Sequence, residues 1–309
     1  MKVLIIGLGS IGKKHVKAIK AIDPGSEIFA LRSQQNEEKY LDAINIYSIA
    51  EIASIAFDFV IIANPTSEHK KVIAQMATYG FPMFIEKPVH SSLDIKDEIT
   101  AIKENGILTY VACNLRFLSC IKFVKDKLTS TQTKKINEVN IYCGSYLPDW
   151  RPGINFRETY SANAELGGGV HIDLIHELDY VYWLFGMPDD VTRVLKNQSS
   201  LEITSFDYAN YTLAYDGFCA SVVLNYYRRD AKRSLELVFE DATWNIDLLK
   251  NQVSCNNEII FSSAQQVADT YQTQMEYFIS CLTKKNAIFN TISDAYNVLK
   301  ICLGNDVKG

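Results

Sequence analysis

Three stretches of this 309-residue chain carry side chains whose types and spacing can do chemistry. In "FIEKP", Lys87 closes an apolar run and is followed by Pro88. Solvated lysines normally sit on helices or loops. An ammonium at the carboxyl end of a buried strand instead faces a crevice, where it stabilises negative charge developing on an oxygen. In "GGGVHIDLIHELDYVYWLFG", Asp173 and His176 stand within one helical turn. A carboxylate that orients an imidazole, with an imidazole that ionises near neutrality, is a proton-transfer pair suited to both directions of a reaction. The third stretch, "GLGSIG", lies where an apolar run meets a helical pattern, the setting in which G-x-G-x-x-G cradles a dinucleotide pyrophosphate. The three together would supply a dinucleotide cradle, a proton-transfer pair and a group able to hold a charged oxygen.

On a continuous helix turning about 100° per residue, Leu174, Leu178, Val181 and Phe185 form a buried stripe, and Asp173, His176 and Tyr180 share the opposite face. Gly167 to Gly169 would bring that face to a crevice by letting the backbone run close to a ligand. Glu177 and Asp179 are expected in structural salt links. "HELDY" begins like a metalloprotease signature but lacks the second histidine four residues on, and His171 lies about 200° from Asp173, so no metal is expected.

The elements that must position these groups follow from periodicity. Short apolar runs ("VLII", "EIFALR", "FDFVIIA", "PMFIEK", "ILTYVAC") alternate with amphipathic segments at 11–22, 69–79 and 95–104. This is the pattern of an α/β, doubly wound parallel sheet buried on both faces. Gly7, Gly9, Ser10, Ile11 and Gly12 would hold the pyrophosphate. Arg32 and Ser33 close the second strand where an NAD site usually places an acid, so NADP(H) is favoured over NAD(H). Asn64, Pro65, Thr66 and His69 follow the fourth strand, and Glu86 with Lys87 ends the fifth; all are candidates for the cofactor side. His69 can equally just open the next helix.

With these residues assembled, the sequence resembles the glucose-fructose oxidoreductase/inositol dehydrogenase (Gfo/Idh/MocA) family. The matching features are "GLGSIGKKH", "NPTSEHKKVIAQMATYGFPMFIEKPV", "CNLRF", "GGGVHIDLIHELDYVYWLFG" and "SDAYNVLKICLG", in order along the chain. The resemblance implies a Rossmann domain followed by an α/β domain on a large, open, mostly antiparallel sheet. It also implies oxidation of sugar hydroxyls or reduction of the ketones with a nicotinamide cofactor, with Lys87, Asp173 and His176 in the family's catalytic positions. One departure is the spacing of acid and histidine, which have two residues between them here and three in the common pattern. The proton relay can then run through Asp173, Tyr160 or a water instead of His176.

The boundary is placed after residue 118, giving a dinucleotide-binding domain at 1–118 and a substrate and oligomerisation domain at 119–309, whose last helix is free to pack back on the first. In the second half the period changes to alternation, with a hairpin signal at Asp216-Gly217. Cys219 and Val223 put apolar residues on the second face of that hairpin, which wants a cover; a homo-oligomer, dimer or tetramer, is expected. A polar and aromatic loop precedes the glycine run, and with "CNLRF" it supplies the substrate candidates Asn114, Arg116, Trp150, Arg151, Arg157 and Tyr160. Trp150 can stack on a sugar ring, and the arginines can grip an anionic sugar or nucleotide sugar, or else pair with Asp149 or Glu158.

The net charge of −5 offers no basic field for nucleic acid. No run of about 18 apolar residues marks a membrane span. Seven cysteines, spread out and odd in number, read as reduced thiols, which suits the cytoplasm. A binder that keeps the fold as an NADP(H) sensor, and a reductase of C=C or C=N bonds, are the alternative readings.

Overall fold

The computed structural model describes residues 1–32, 40–130 and 134–304. In chain order the elements of the first part are β1 (Lys2–Ile6), α1 (Ser10–Ile22), β2 (Glu27–Leu31), β3 (Ile44–Ile46), α2 (Ile49–Ile52), β4 (Phe59–Ile62), α3 (His69–Ala77), β5 (Met83–Glu86), α4 (Lys96–Glu104) and β6 (Thr109–Ala112). They continue with α5 (Ser119–Ser130), β7 (Ile136–Tyr146), α6 (Val170–Asp173), α7 (His176–Phe185), β8 (Asp190–Lys196), β9 (Tyr208–Tyr215), β10 (Phe218–Asn225), β11 (Tyr227–Phe239), β12 (Thr243–Asp247), β13 (Gln252–Cys255), β14 (Glu258–Ser262), α8 (Thr270–Lys284) and α9 (Ile292–Leu303). The chain divides into two compact units, Met1–Asn114 with Ala268–Leu299, and Leu115–Val267 with the chain from Lys300 onward.

The first unit is built on a parallel sheet in the order β3-β2-β1-β4-β5-β6. Its central strands are apolar but for Lys2 at the start of β1 and Glu86 at the end of β5, because both faces are covered: every residue of β4 and β5 is buried. The polar stretch after β2 supplies the third strand, only three residues long. Phe278 of α8 fills the core edge-on to Phe59 and Phe84, with ring centres 5.2 and 5.4 Å apart. The strand order reverses between β1 and β4, so the loops after these two strands flank the switch point where doubly wound sheets bind ligands. One loop carries Gly7 to Gly9, the other Asn64 to Thr66.

The second unit is built on an eight-stranded sheet, β14-β13-β12-β11-β7-β10-β9-β8, antiparallel except for the β7/β10 pair. The Asp216-Gly217 turn joins β9 to β10 as the sequence predicts, Gly217 taking a φ of +92° that suits glycine. Alternation buries Val139, Ile141, Tyr211, Leu213, Val222, Leu224, Leu235 and Leu237 on the inner face, and α6 packs there against β9 and β10. The outer face is left with half-exposed or exposed residues, among them Tyr142, Val194, Cys219 and Val223.

Candidate active site

The dinucleotide side is shaped by three glycines with different duties. A Cβ on Gly7, whose φ is +95°, would lie 2.5 Å from the Asn64 amide nitrogen, and one on Gly12 would lie 2.3 Å from the Gly7 carbonyl oxygen. These two are required by the turn and by the helix's approach to the strand. At Gly9 an added Cβ would meet nothing within 4 Å, so the protein's own packing does not demand this glycine. It leaves the start of α1 open. That end has no side-chain cap and no acid in its first turn, so the free amides and the helix dipole favour an anion. Across the switch point the Asn64 Oδ1 is buried without a hydrogen-bond partner among the described residues. These features fit a dinucleotide, with Gly9, Ser10 and Ile11 holding the pyrophosphate and Arg32, just past β2, on the adenosine side. Ser33 lies outside the described residues.

His69 does not reach for a cofactor. It opens α3, its ring is buried, and it bonds the Asn64 carbonyl at 3.0 Å and the Pro88 carbonyl at 3.1 Å, fastening the loop after β4 to the one after β5. Burial pushes its pKa below the ordinary value, against the opposing pull of those carbonyls. Glu86 is likewise engaged by the protein itself: Oε1 bonds His15 Nε2 at 2.6 Å and Oε2 accepts the Lys87 N–H at 3.2 Å. Lys87 therefore leaves β5 on a turn held by a buried pair, of which His15 went unnoticed in the sequence. Pro65 is exposed and Thr66, half-exposed, opens a short helical turn. Asn114 departs from its expected substrate role, being buried and donating to Thr270 Oγ1 at 2.7 Å.

In the second unit the helix after the glycines is not continuous. It breaks at Leu174 and Ile175 into α6 and α7, which resets the wheel. Tyr180 keeps the His176 side of α7, four residues on, but it is fully buried beside Glu177 and does not join Asp173 and His176 as a half-exposed group. Of the acids and histidines between 170 and 185, only Asp173 and His176 remain half-exposed. His171 is buried against Phe206, and that burial lowers its pKa to about 4. Glu177 accepts from Arg233 at 2.6 Å, and Asp179 accepts from Arg116 Nε and Nη2 along one edge of the guanidinium, at 2.8 and 2.7 Å. Arg116, expected to grip an anionic substrate, is thus a buried structural cation, because a guanidinium out of water needs a bidentate carboxylate.

The glycine run also serves the chain itself. A Cβ on Gly168 would sit 1.9 Å from the Tyr160 carbonyl oxygen, and one on Gly169 would strike the His171 ring. The close approach is to protein, where the sequence suggested a ligand. Tyr160 pins this run by donating to the Gly167 carbonyl at 2.9 Å. Arg157 lies over Phe156 and reaches Glu202 at 3.6 Å at the surface, while Glu158 is bonded by Asn155; Arg151 is exposed. Trp150 is 37% exposed, and its Nε1 donates to Ser145. Its ring meets Tyr226 edge-on, 5.3 Å between centres, and the Tyr226 hydroxyl donates to Asp173 Oδ2 at 2.5 Å. Tyr226 was missed as a site residue. Its signal was a tyrosine that continues the inward parity of β10 one residue past the strand's end, where a buried hydroxyl needs a partner.

Comparison with known proteins agrees with this architecture. The family description "Oxidoreductase family, NAD-binding Rossmann fold" (GFO_IDH_MocA) matches residues 1–112, and the "GFO/IDH/MocA C-terminal domain" matches residues 124–245. Among curated relatives, the uncharacterized oxidoreductase YrbE of Bacillus subtilis is 28% identical over 72% of the chain, which spans 65% of YrbE's length. The scyllo-inositol 2-dehydrogenase (NAD(+)) of the same organism is 24% identical over 94% of the chain and 89% of its own. Among solved structures, UDP-N-acetylglucosamine 3-dehydrogenase GnnA from Acidithiobacillus ferrooxidans superposes with a TM-score of 0.80 at 20% identity, covering 99% of this chain and 97% of that one, which shows a shared fold.

Proposed function

The chain belongs to the Gfo/Idh/MocA oxidoreductase family, and from that premise we propose that it transfers a hydride between a nicotinamide dinucleotide and a hydroxyl-bearing carbon of a sugar or sugar derivative. The observation that carries the reading is the sorting of charges around α6 and α7. Every other acid and histidine there is buried, and Asp173 and His176 are kept half-exposed. The bound nicotinamide supplies the hydride acceptor in oxidation and the donor in reduction. His176 takes the hydroxyl proton and returns it in the reverse direction. Asp173 orients the imidazole and favours its charged form. Lys87 holds the reacting oxygen and stabilises alkoxide charge.

NADP(H) is the preferred cofactor in this reading. Arg32 stands just past β2 where an acid would repel a 2′-phosphate, and a guanidinium attracts one. Trp150 faces the sugar ring, and Arg151 is the arginine of the loop for which an anionic substrate group remains the natural partner. The chain works as a homo-oligomer: the outer face of the large sheet, with Val194, Val223 and Cys219 at its surface, holds a concavity of about 560 Å³ and is covered by a second copy. Seven free thiols support a reducing compartment, the cytoplasm.

The test is NADP⁺ reduction followed at 340 nm over cyclic polyols, sugars, sugar acids and nucleotide sugars. Turnover of one class is expected. Tight NADPH binding with no turnover across the panel would favour a sensor, and turnover only of unsaturated acceptors would favour the double-bond reductase. A monomer in sedimentation equilibrium at micromolar concentration would contradict the oligomer.

A further inference from the structure

We propose that Tyr226 is a positioning residue that fixes the Asp173 carboxylate and couples it to the Trp150 ring; the inference rests on the hydride-transfer reading above. Asp173 ends a helix of only four residues and is followed by the turn at Leu174 and Ile175. No continuous helix locks its backbone, so its side chain needs an outside tie. Tyr226 is built to supply one. It stands between β10 and β11, where its N–H donates to the Asp207 carbonyl at 3.0 Å and its carbonyl accepts the Leu147 N–H at 2.8 Å. The ring is fully buried. Packing alone would be met by phenylalanine, and a buried hydroxyl is costly unless it is bonded.

The hydroxyl donates to Asp173 Oδ2 at 2.5 Å, so its one proton is used. Burial and the adjoining carboxylate push the phenol well above the ordinary tyrosine range. Tyr226 therefore keeps its proton and acts as a donor, which removes it from the candidates for the base. Its edge-on contact with Trp150, itself held by Ser145, makes Trp150, Tyr226 and Asp173 one contiguous wall. A wall with an aromatic ring at one end and a carboxylate at the other suits a ring-shaped substrate, a pyranose or a cyclitol. Its apolar C–H face meets Trp150 while a ring hydroxyl is presented to Asp173.

Two readouts test the proposal. With tyrosines carrying a ¹³C label at Cζ, the resonance of Tyr226 is identified by its loss in Tyr226→Phe and should move in Asp173→Asn; a resonance that stays in place overturns the coupling. With the substrate found by the reduction screen, Tyr226→Phe should lower kcat by about tenfold to a hundredfold, the range for losing a hydrogen bond to a charged group. KM for the sugar should stay within about threefold and NADPH affinity should be unchanged, as expected when an interaction is lost in the transition state. The same substitution in an Asp173→Asn background should add little, since the two act as a unit. Wild-type kcat in Tyr226→Phe, or a loss confined to KM, overturns it. Absence of turnover in the wild-type protein would defeat the reading of function, and the labelled resonance would still decide the coupling.

Discussion

Replacing Gly9 and Gly12 in turn by alanine separates what the glycine loop does for the fold from what it does for a ligand. At Gly12 the new methyl would stand 2.3 Å from the Gly7 carbonyl oxygen, a backbone atom fixed by its turn, so helix and strand must part by about 1 Å to restore ordinary contact. Overpacking of this kind costs about 1–3 kcal/mol, which at about 2–4 °C per kcal/mol lowers the melting temperature by roughly 2–12 °C. At Gly9 the methyl meets nothing within 4 Å. The residue has an ordinary extended conformation, φ −78° and ψ −165°, so alanine fits without strain. The small loss of N-cap preference is offset by the reduced entropy of the unfolded chain, and stability should change by less than about 0.5 kcal/mol. In the proposed placement the dinucleotide would meet that methyl, where the amides of Gly9 and Ser10 would approach the pyrophosphate. Losing one or two charge-assisted bonds there should weaken NADPH by about tenfold to a hundredfold. Differential scanning fluorimetry with titration of NADPH into the tryptophan fluorescence reads both quantities. Gly9→Ala binding NADPH as tightly as the wild type would refute the placement of the pyrophosphate at α1.

Three further outcomes follow from the geometry. Asp179→Ala strands the Arg116 cation in the interior and should cost about 3–5 kcal/mol in urea unfolding, whereas Arg116→Met with Asp179→Leu should recover most of it; equal losses in both would mean that the pair is not desolvated. His171 titrates at about 4 in the fold and near 6.5 unfolded, so below 6.5 the unfolded chain binds the extra proton; its contribution is complete above that pH and shrinks by about 3 kcal/mol as pH falls to 4. The buried His69 acts in the same direction, and unfolding curves at pH 7 and 4.5 should differ less for His171→Gln than for the wild type. Arg32→Ala should weaken NADPH by about tenfold while leaving NADH nearly unchanged, and an equal effect on both would place Arg32 away from the 2′-phosphate.

The parts of this molecule that depend on local pattern were readable in its sequence. Apolar runs buried on both faces gave the parallel sheet, alternation with Asp216-Gly217 gave the β9/β10 hairpin, and the spacing of Gly7, Gly9 and Gly12 gave the start of α1. Tertiary pairing was not readable. Arg116 looked like a substrate ligand because nothing local shows that its partner, Asp179, is 63 residues away. The wheel joined Asp173 to the face of His176 and Tyr180 across a break at Leu174 and Ile175 that no glycine or proline announces, and it could not show that Tyr180 is fully buried. Gly168 was assigned to a ligand when its constraint is the Tyr160 carbonyl, a long-range contact within a loop. Tyr226 falls just past the end of β10, and its hydroxyl partner lies 53 residues earlier in the chain.

Hydride transfer from a carbinol carbon is tested most directly by isotope. The sugar or polyol that reduces NADP⁺ in the screen is deuterated at its carbinol carbons, and the reduced dinucleotide is analysed by mass spectrometry. The account predicts one deuterium carried into the reduced dinucleotide at each turnover. Reduced dinucleotide without deuterium would contradict it.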